Sequence, residues 1–414
     1  MRPYFADSLH KGRVVVLGGG FVGLTVCVEL ANRLGSSPAE IALVDSSEKF
    51  TYRPFVHFSL RGLVSEEDLR VNFREFCEQW GVAFVRGTVV GHDGEENRVV
   101  LGDGSSLYYD WLVVGLGAVS AVASGEKFAG TFQVRDLDDV AALRRHFDAL
   151  FAEGKVGPVV VVGGGISGVE IALEVRHYLK ERCIGEGLDP NSFPVILLER
   201  ETSVLPDKHE KLVKYLTRKL GDAGVRVLTG HSVTRASGDL VECRVRQDAD
   251  QPNEKKVIRA GAVVWAGGVA PNPVVKDLNF PLDHKYNGGI LVDHHLRISG
   301  RTDAFAGGDC ACWVQKERAK ALAATAYNAI RQARTIAANI SRSMAGKTRL
   351  KTYNPRLHTP HWIALDGFAS GVFAIGPRVL RHPHRLYGVL KRRLMSAFLS
   401  RLRRPILGRG RARH

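Results

Sequence analysis

Apolar residues along this chain come in short unbroken runs rather than in strict alternation. Val14–Leu17, Ile41–Val44, Leu112–Val114, Val159–Val162, Val195–Leu198 and Ala262–Trp265 each hold three or four consecutive apolar side chains. Runs of that length, closed by glycine or charge, predict strands buried on both faces of a parallel sheet. Two of them lead into the same device. Residues 14–24 read VVVLGGGFVGL and residues 159–170 read VVVVGGGISGVE, 145 residues apart, and after each glycine turn the apolar spacing becomes that of a helix.

In both turns the glycines fall at G-x-G-x-x-G spacing, as Gly18, Gly20 and Gly23 and again as Gly163, Gly165 and Gly168. The first glycine makes the tight turn, the second lets a pyrophosphate approach the backbone, and the third lets helix and strand pack closely. The helix N-terminus adds partial positive charge. A single match is a weak signal, since such turns are also purely structural. Here each has an acid at the end of the next strand: Asp45, 22 residues past Gly23, and Glu199, 31 residues past Gly168. Such an acid accepts ribose hydroxyls and repels a 2′-phosphate, so Glu199 favours NADH, with Arg200 beside it as a counter-signal. Two dinucleotide sites require two dinucleotides, and a hydride donor with a bound flavin meets that requirement.

Three further stretches carry a resemblance. Tyr109–Ala118 (YDWLVVGLGA) resembles the crossover strand of two-dinucleotide flavoproteins, Val263–Asn272 (VVWAGGVAPN) the strand leaving their nicotinamide domain, and Thr302–Asp309 (TDAFAGGD) their late flavin motif. With Phe50–Phe55 (FTYRPF), Gly62 and the Gly168-Val169-Glu170 sequence, the chain most resembles the type II NADH dehydrogenases, single-subunit NADH:quinone oxidoreductases. That resemblance implies FAD and NADH as cofactors, Asp309 on the flavin's ribityl chain, and Glu170 near the nicotinamide and flavin. Asp309 as a helix N-cap and Glu170 as a helix-start carboxylate remain alternatives. The family's A-Q-x-A-x-Q helix near the quinone departs here: Tyr327 and Arg331 stand where the glutamines would be. Tyr327 is thus a candidate for stacking on or bonding a quinone, or is simply packing.

The resemblance implies an α/β fold of two doubly wound Rossmann-like domains, the second inserted in the first. Residues 1–125 and 270–348 would bind FAD, 126–269 would bind NADH, and 349–414 would form a membrane-associating end. Within the second domain, 248–256 (DADQPNEKK) is expected to be a hairpin loop.

Charge sharpens the picture of that end. The net charge is +15, yet residues 378–414 hold twelve Lys and Arg and no acid follows Asp366, leaving +3 for residues 1–377. On a helical wheel of residues 384–404, Tyr387, Leu390, Leu394, Met395, Phe398 and Leu402 share one side. Arg392, Arg393, Ser396, Ser400, Arg403 and Arg404 lie opposite, and Lys391 and Arg401 intrude on the apolar side, where they are expected to snorkel. This predicts a helix lying on an anionic lipid surface. A partner-docking helix is the alternative; nucleic acid is not expected, because no base-stacking aromatic series accompanies the charges.

No apolar run is long enough to span a bilayer and residues 1–13 lack a signal-peptide core, which predicts a peripheral protein at the cytoplasmic face of the membrane. Without a pumping segment, a respiratory role would be non-pumping. A homodimer is compatible. The six cysteines, at 27, 77, 183, 243, 310 and 312, suggest reduced thiols, and neither a metal site nor a redox pair at Cys310 and Cys312 is expected. Their positions argue against a sulfide:quinone oxidoreductase and a disulfide reductase. A soluble reductase of a ferredoxin-like protein and a non-enzymatic redox sensor stay open.

Overall fold

A computed structural model of the chain describes residues 12–35, 39–121, 128–246, 254–315, 320–355, 360–375, 378–382 and 385–403. Residues 1–13 of the leader reading, most of the expected loop 248–256 and the last basic residues from 404 on therefore fall largely outside the described residues. Within that loop, residues 254–256 belong to a strand, Glu254–Arg259, of an antiparallel three-stranded sheet.

The elements that position the site are, along the chain, β1 (Arg13–Leu17), α1 (Phe21–Leu34), β2 (Glu40–Asp45), β3 (Ala83–Arg86), β4 (Trp111–Val114), β5 (Val159–Val162), α2 (Ile166–Gly185), β6 (Val195–Leu198), β7 (Val225–Leu228), β8 (Ala262–Trp265), β9 (Ala304–Ala306) and α3 (Ala326–Met344). A terminal hairpin meander follows, β10 (His361–Asp366), β11 (Ser370–Ile375) and β12 (Arg378–His382), and then α4 (Arg385–Leu402).

Two all-parallel sheets result, in the doubly wound α/β arrangement. The first has the order β9-β4-β1-β2-β3 and the second β7-β6-β5-β8. Their central strands are buried from end to end, Val14 to Leu17 and Val159 to Val161 showing no exposed surface. That is why they read as continuous apolar runs: helices pack on one face of each sheet and an antiparallel three-stranded sheet on the other, so no polar alternation survives. The second sheet lies within the sequence of the first, between β4 and β9. The chain leaves along Ala118–Ser120 and returns along Val269–Pro271, and these two links pair with each other as antiparallel strands.

The terminal helix does not stand apart. Met395, Leu399 and Leu402 are buried, Phe398 packs within 5.2 Å of Phe21 and 5.8 Å of Tyr52, and Trp80 Nε1 donates to Leu402 O at 2.7 Å. Burying one such side chain contributes about 1.5–3 kcal/mol. The snorkelling expected of Lys391 and Arg401 is overturned. Lys391 is buried and Arg401 donates to Glu29 at 2.7 Å, because each finds a carboxylate on the body of the protein. The wheel is also split. Leu390 and Leu394, with Val389, face outward instead of joining Met395 and Leu402. No helix among the described residues is long and apolar enough to cross a membrane.

Candidate active site

Both glycine turns are built alike. Gly18 has φ +93° and Gly163 φ +107°, values that L side chains rarely adopt, and a Cβ on either would stand 2.6 Å from a carbonyl oxygen, of Gly115 and Ala266 respectively. A Cβ on Gly23 would run into Gly18 O, and one on Gly168 into Gly163 O, so helix and turn touch backbone to backbone. Gly20 and Gly165 cap α1 and α2, and above them the space is open: a Cβ on Gly20 meets only Gly115 O at 3.9 Å, and one on Gly165 meets nothing within 4 Å.

The two acids sit at matched places. Asp45 Oδ2 accepts from Gly19 N at 2.6 Å and Glu199 Oε2 accepts from Gly164 N at 2.6 Å. Each second oxygen accepts from a backbone amide two residues on, Ser47 N at 2.8 Å and Glu201 N at 2.8 Å. Every carboxylate oxygen still has acceptor capacity for a hydroxyl. Arg200 turns aside to pair with Glu201 at 3.2 Å.

These observations fit two dinucleotides. α1 and α2 have no side-chain cap and no acid in the first turn, whereas the helices starting at Glu66, Phe73, Leu137, Glu210 and Ala326 are all capped by a side chain. The uncapped amides, the open space and the positive helix ends suit phosphate.

Asp309 lies in the turn Gly308–Cys310, where β9 ends beside β4. Burial raises its carboxyl above the usual range, against the opposing pull of Arg53 and Arg135. The N-cap alternative is not realised on α3, which is capped by Thr325. Two residues in this region escaped the sequence reading. Gln332 is buried and accepts from Gly308 N at 2.7 Å, tying α3 to the Asp309 turn. Its signal was present, one of three amides, with Asn328 and Asn339, on the buried face of that helix. Arg135 lay in a stretch without any motif.

Tyr327 occupies the first turn of α3, half-buried. The Arg331 guanidinium stands 5.7 Å from its ring centre and donates to Asn354 O at 2.8 Å. The two residues that replace the family's glutamines thus contact each other, and no hydrogen bond, ion pair or ring contact links Tyr327 to Glu170.

Glu170 is buried, and its partners come from the far end of the chain rather than from its own helix start. Oε1 accepts from Ala364 N of β10 at 2.7 Å and from Lys391 Nζ of α4 at 2.7 Å. Oε2 faces His57 Nε2 at 3.9 Å, a ring held neutral because burial pushes its pKa down to about 4. The helix-start alternative therefore gives way to a buried ion pair. The 3₁₀ segment Arg53–Arg61 supplies His57, and also Phe55 and Phe58, whose rings lie 5.4 and 4.9 Å from the Lys391 ammonium. Sequence offered no signal for Lys391 beyond its place on the wrong side of an apolar wheel.

All six cysteines are free and buried, Cys310 and Cys312 included. Among the described residues no cluster of His, Cys, Asp or Glu is placed to hold a metal ion.

Comparison with known proteins agrees with this geometry. The chain is 27% identical over 350 residues to a Type II NADH:quinone oxidoreductase of Staphylococcus aureus, covering 82% of this chain and 84% of that one. In fold it is similar to NDH2 from Plasmodium falciparum, solved in complex with NADH, with a TM-score of 0.81, 17% identity and coverage of 95% and 96%. The sulfide:quinone oxidoreductase of Aquifex aeolicus is similar too, with a TM-score of 0.80, 18% identity and coverage of 95% and 91%. A model of the pyridine nucleotide-disulphide oxidoreductases matches residues 12–333, both glycine turns, both acids and Asp309 included. The chain belongs to the pyridine nucleotide-disulphide oxidoreductase family of FAD-dependent oxidoreductases.

Proposed function

We propose that this enzyme oxidises NADH and reduces a membrane quinone, without pumping protons. The observation that carries the reading is the duplicated turn, each copy with an uncapped helix and a carboxylate accepting from the amide of Gly19 or Gly164. The name of the Staphylococcus relative supports the quinone as acceptor. In this reading residues 1–125 and 270–348 form the FAD-binding domain and residues 126–269 the NADH-binding domain. Gly18, Gly20, Gly23, Asp45 and Asp309 hold FAD, while Gly163, Gly165, Gly168 and Glu199 hold NADH. When bound, FAD supplies the two-electron relay between nicotinamide and quinone. The protein's share is to place the rings and exclude water. Glu170 supplies a carboxylate beside the chemistry, and Tyr327 offers a ring and a hydroxyl to the quinone.

Residues 349–414 form the membrane-facing end. Leu390 and Leu394, one helical turn apart and exposed with Val389, present an apolar strip, with Arg393 on the same exposed side. This strip, rather than the whole apolar wheel, meets an anionic lipid surface in our reading, at the cytoplasmic face of the membrane. A homodimer is compatible with it.

An anaerobic half-reaction tests the function. NADH should bleach the flavin band of the purified protein, and a short-chain quinone should restore it rapidly. Bleaching without return would remove the quinone and favour a protein acceptor such as a ferredoxin. Sulfide as donor is disfavoured by the cysteines. None lies between 78 and 182 or after 312, and burial raises the thiols of Cys27, Cys77, Cys310 and Cys312.

A further inference from the structure

Glu170 is the inner end of a row of titratable groups on one face of α2. Glu170, Glu174, His177 and Glu181 follow at i, i+4, i+7 and i+11, the spacing that stacks side chains along a helix. The two inner carboxyls are almost wholly buried, and exposure rises only beyond Glu174. The side chain of Glu170 is 8% exposed, Glu174 2%, His177 23% and Glu181 57%.

Groups from two other elements line this row. From the Arg53–Arg61 segment, Arg61 reaches Glu174 Oε2 at 3.6 Å and also pairs with Glu181. From the β10–β11 turn, Gly367 N donates to Glu174 Oε1 at 2.7 Å, and Asp366 Oδ1 lies 3.0 Å from Arg61 and 3.9 Å from His177 Nε2. His57 and Lys391 face Glu170 itself.

Glu174 Oε2 in this row, and His57 Nε2 facing it from the Arg53–Arg61 segment, are buried without a hydrogen bond. Glu174 Oε2 meets Arg61 only as an ion pair at 3.6 Å, and a buried carboxylate oxygen without a hydrogen bond is costly to keep charged. Burial also raises the Glu174 carboxyl to about 7, against the pull of Arg61, so it exchanges its proton in the neutral range. On Glu170, Oε1 is engaged by Ala364 and Lys391, while Oε2 stands 3.9 Å from the neutral His57 ring.

We propose that this face of α2 conducts protons from solvent to the active site: Asp366, His177 and Glu181 form the entrance, and Glu174 passes the proton to Glu170 Oε2. The proposal rests on the quinone reading above. Reducing a quinone to its quinol takes two electrons and two protons. NADH delivers both electrons and one proton as a hydride, and solvent must supply the second. The buried, aromatic-lined surroundings of Glu170 exclude bulk water, so that proton needs a path.

Two measurements on the flavin-loaded enzyme test this. Infrared titration of the wild type should show a protonated carboxyl band with a midpoint near pH 7, absent in Glu174→Gln. In single-turnover mixing, reoxidation of the NADH-reduced protein by a short-chain quinone should slow on the order of tenfold or more in Glu174→Gln and lose its break near neutral pH, with partial recovery in Glu174→Asp. If Glu174→Gln does not fold, the double variant His177→Gln with Asp366→Asn should give the same slowing by closing the entrance. A wild type without a carboxyl titrating near neutrality would overturn the relay. So would an unchanged rate and pH profile in Glu174→Gln beside a quinone-active wild type. A wild type that no quinone reoxidises would instead overturn the function reading, and the delivery with it.

Discussion

Lys391 Nζ lies 2.7 Å from Glu170 Oε1, and both side chains are almost wholly buried. A carboxylate in the second dinucleotide unit is thereby neutralised by the terminal helix. Replacing Lys391 by Met would leave a buried charge with only an amide donor. We expect Lys391→Met to lose about 3–5 kcal/mol of unfolding free energy, with much of it recovered in the Lys391→Met, Glu170→Gln double variant. Denaturant titration of the four members of that cycle measures it.

The third glycine of each turn should separate the two cofactors. A methyl at Gly23 strikes Gly18 O and one at Gly168 strikes Gly163 O. Gly23→Ala is expected to purify without its yellow colour. Gly168→Ala should keep the flavin yet fail to bleach with NADH. Flavin absorbance before and after NADH distinguishes the two.

Glu199 grips Gly164 N and has acceptor capacity left for a ribose. In Glu199→Ala we expect KM for NADH to rise roughly tenfold or more and the preference over NADPH to shrink, as losing a charged hydrogen bond would cause. Initial rates with both nucleotides read this directly.

Acid stability carries two opposed signatures. Burial lowers both His57 and His361 to about 4 from an ordinary 6.5. The unfolded chain therefore binds more protons between these values, and stability falls as pH drops from about 6.5 towards 4. Glu174 is raised to about 7 from 4.5, so its contribution runs the other way and grows as pH falls through that interval. His57→Gln should flatten the acid-side loss, and Glu174→Gln should steepen it. Melting temperatures across this pH range provide the check.

Exchanging Leu390 and Leu394 for Glu should abolish co-sedimentation with anionic vesicles while leaving the melting temperature within a few degrees, since both side chains point away from the body. Retained co-sedimentation would remove the exposed strip as the lipid contact.

What sequence made legible here was local and periodic. Apolar runs marked the central strands of both sheets but not β3, β7 or β9, and glycine spacing with Asp45 and Glu199 marked the turns, because each signal arises within about thirty residues. Pairings between distant segments left no such trace. Lys391 with Glu170, Gln332 with Gly308 and Arg401 with Glu29 join residues whose proximity is set only when helices pack. The wheel for α4 failed in the same way. It assumed one apolar face against one medium, but the helix divides its apolar residues between protein and exterior, and its two misplaced cations mark the face that packs inward.

The ion pair also orders events in time. Lys391 follows Glu170 by 221 residues, so a chain still being synthesised carries Glu170 without its cation until α4 has left the ribosome. A chain cut short before α4 cannot bury that carboxylate cheaply, nor cover Phe21 and Tyr52 with Phe398. Copies without α4 are thus expected to open more readily and to be cut faster by proteases than the whole chain.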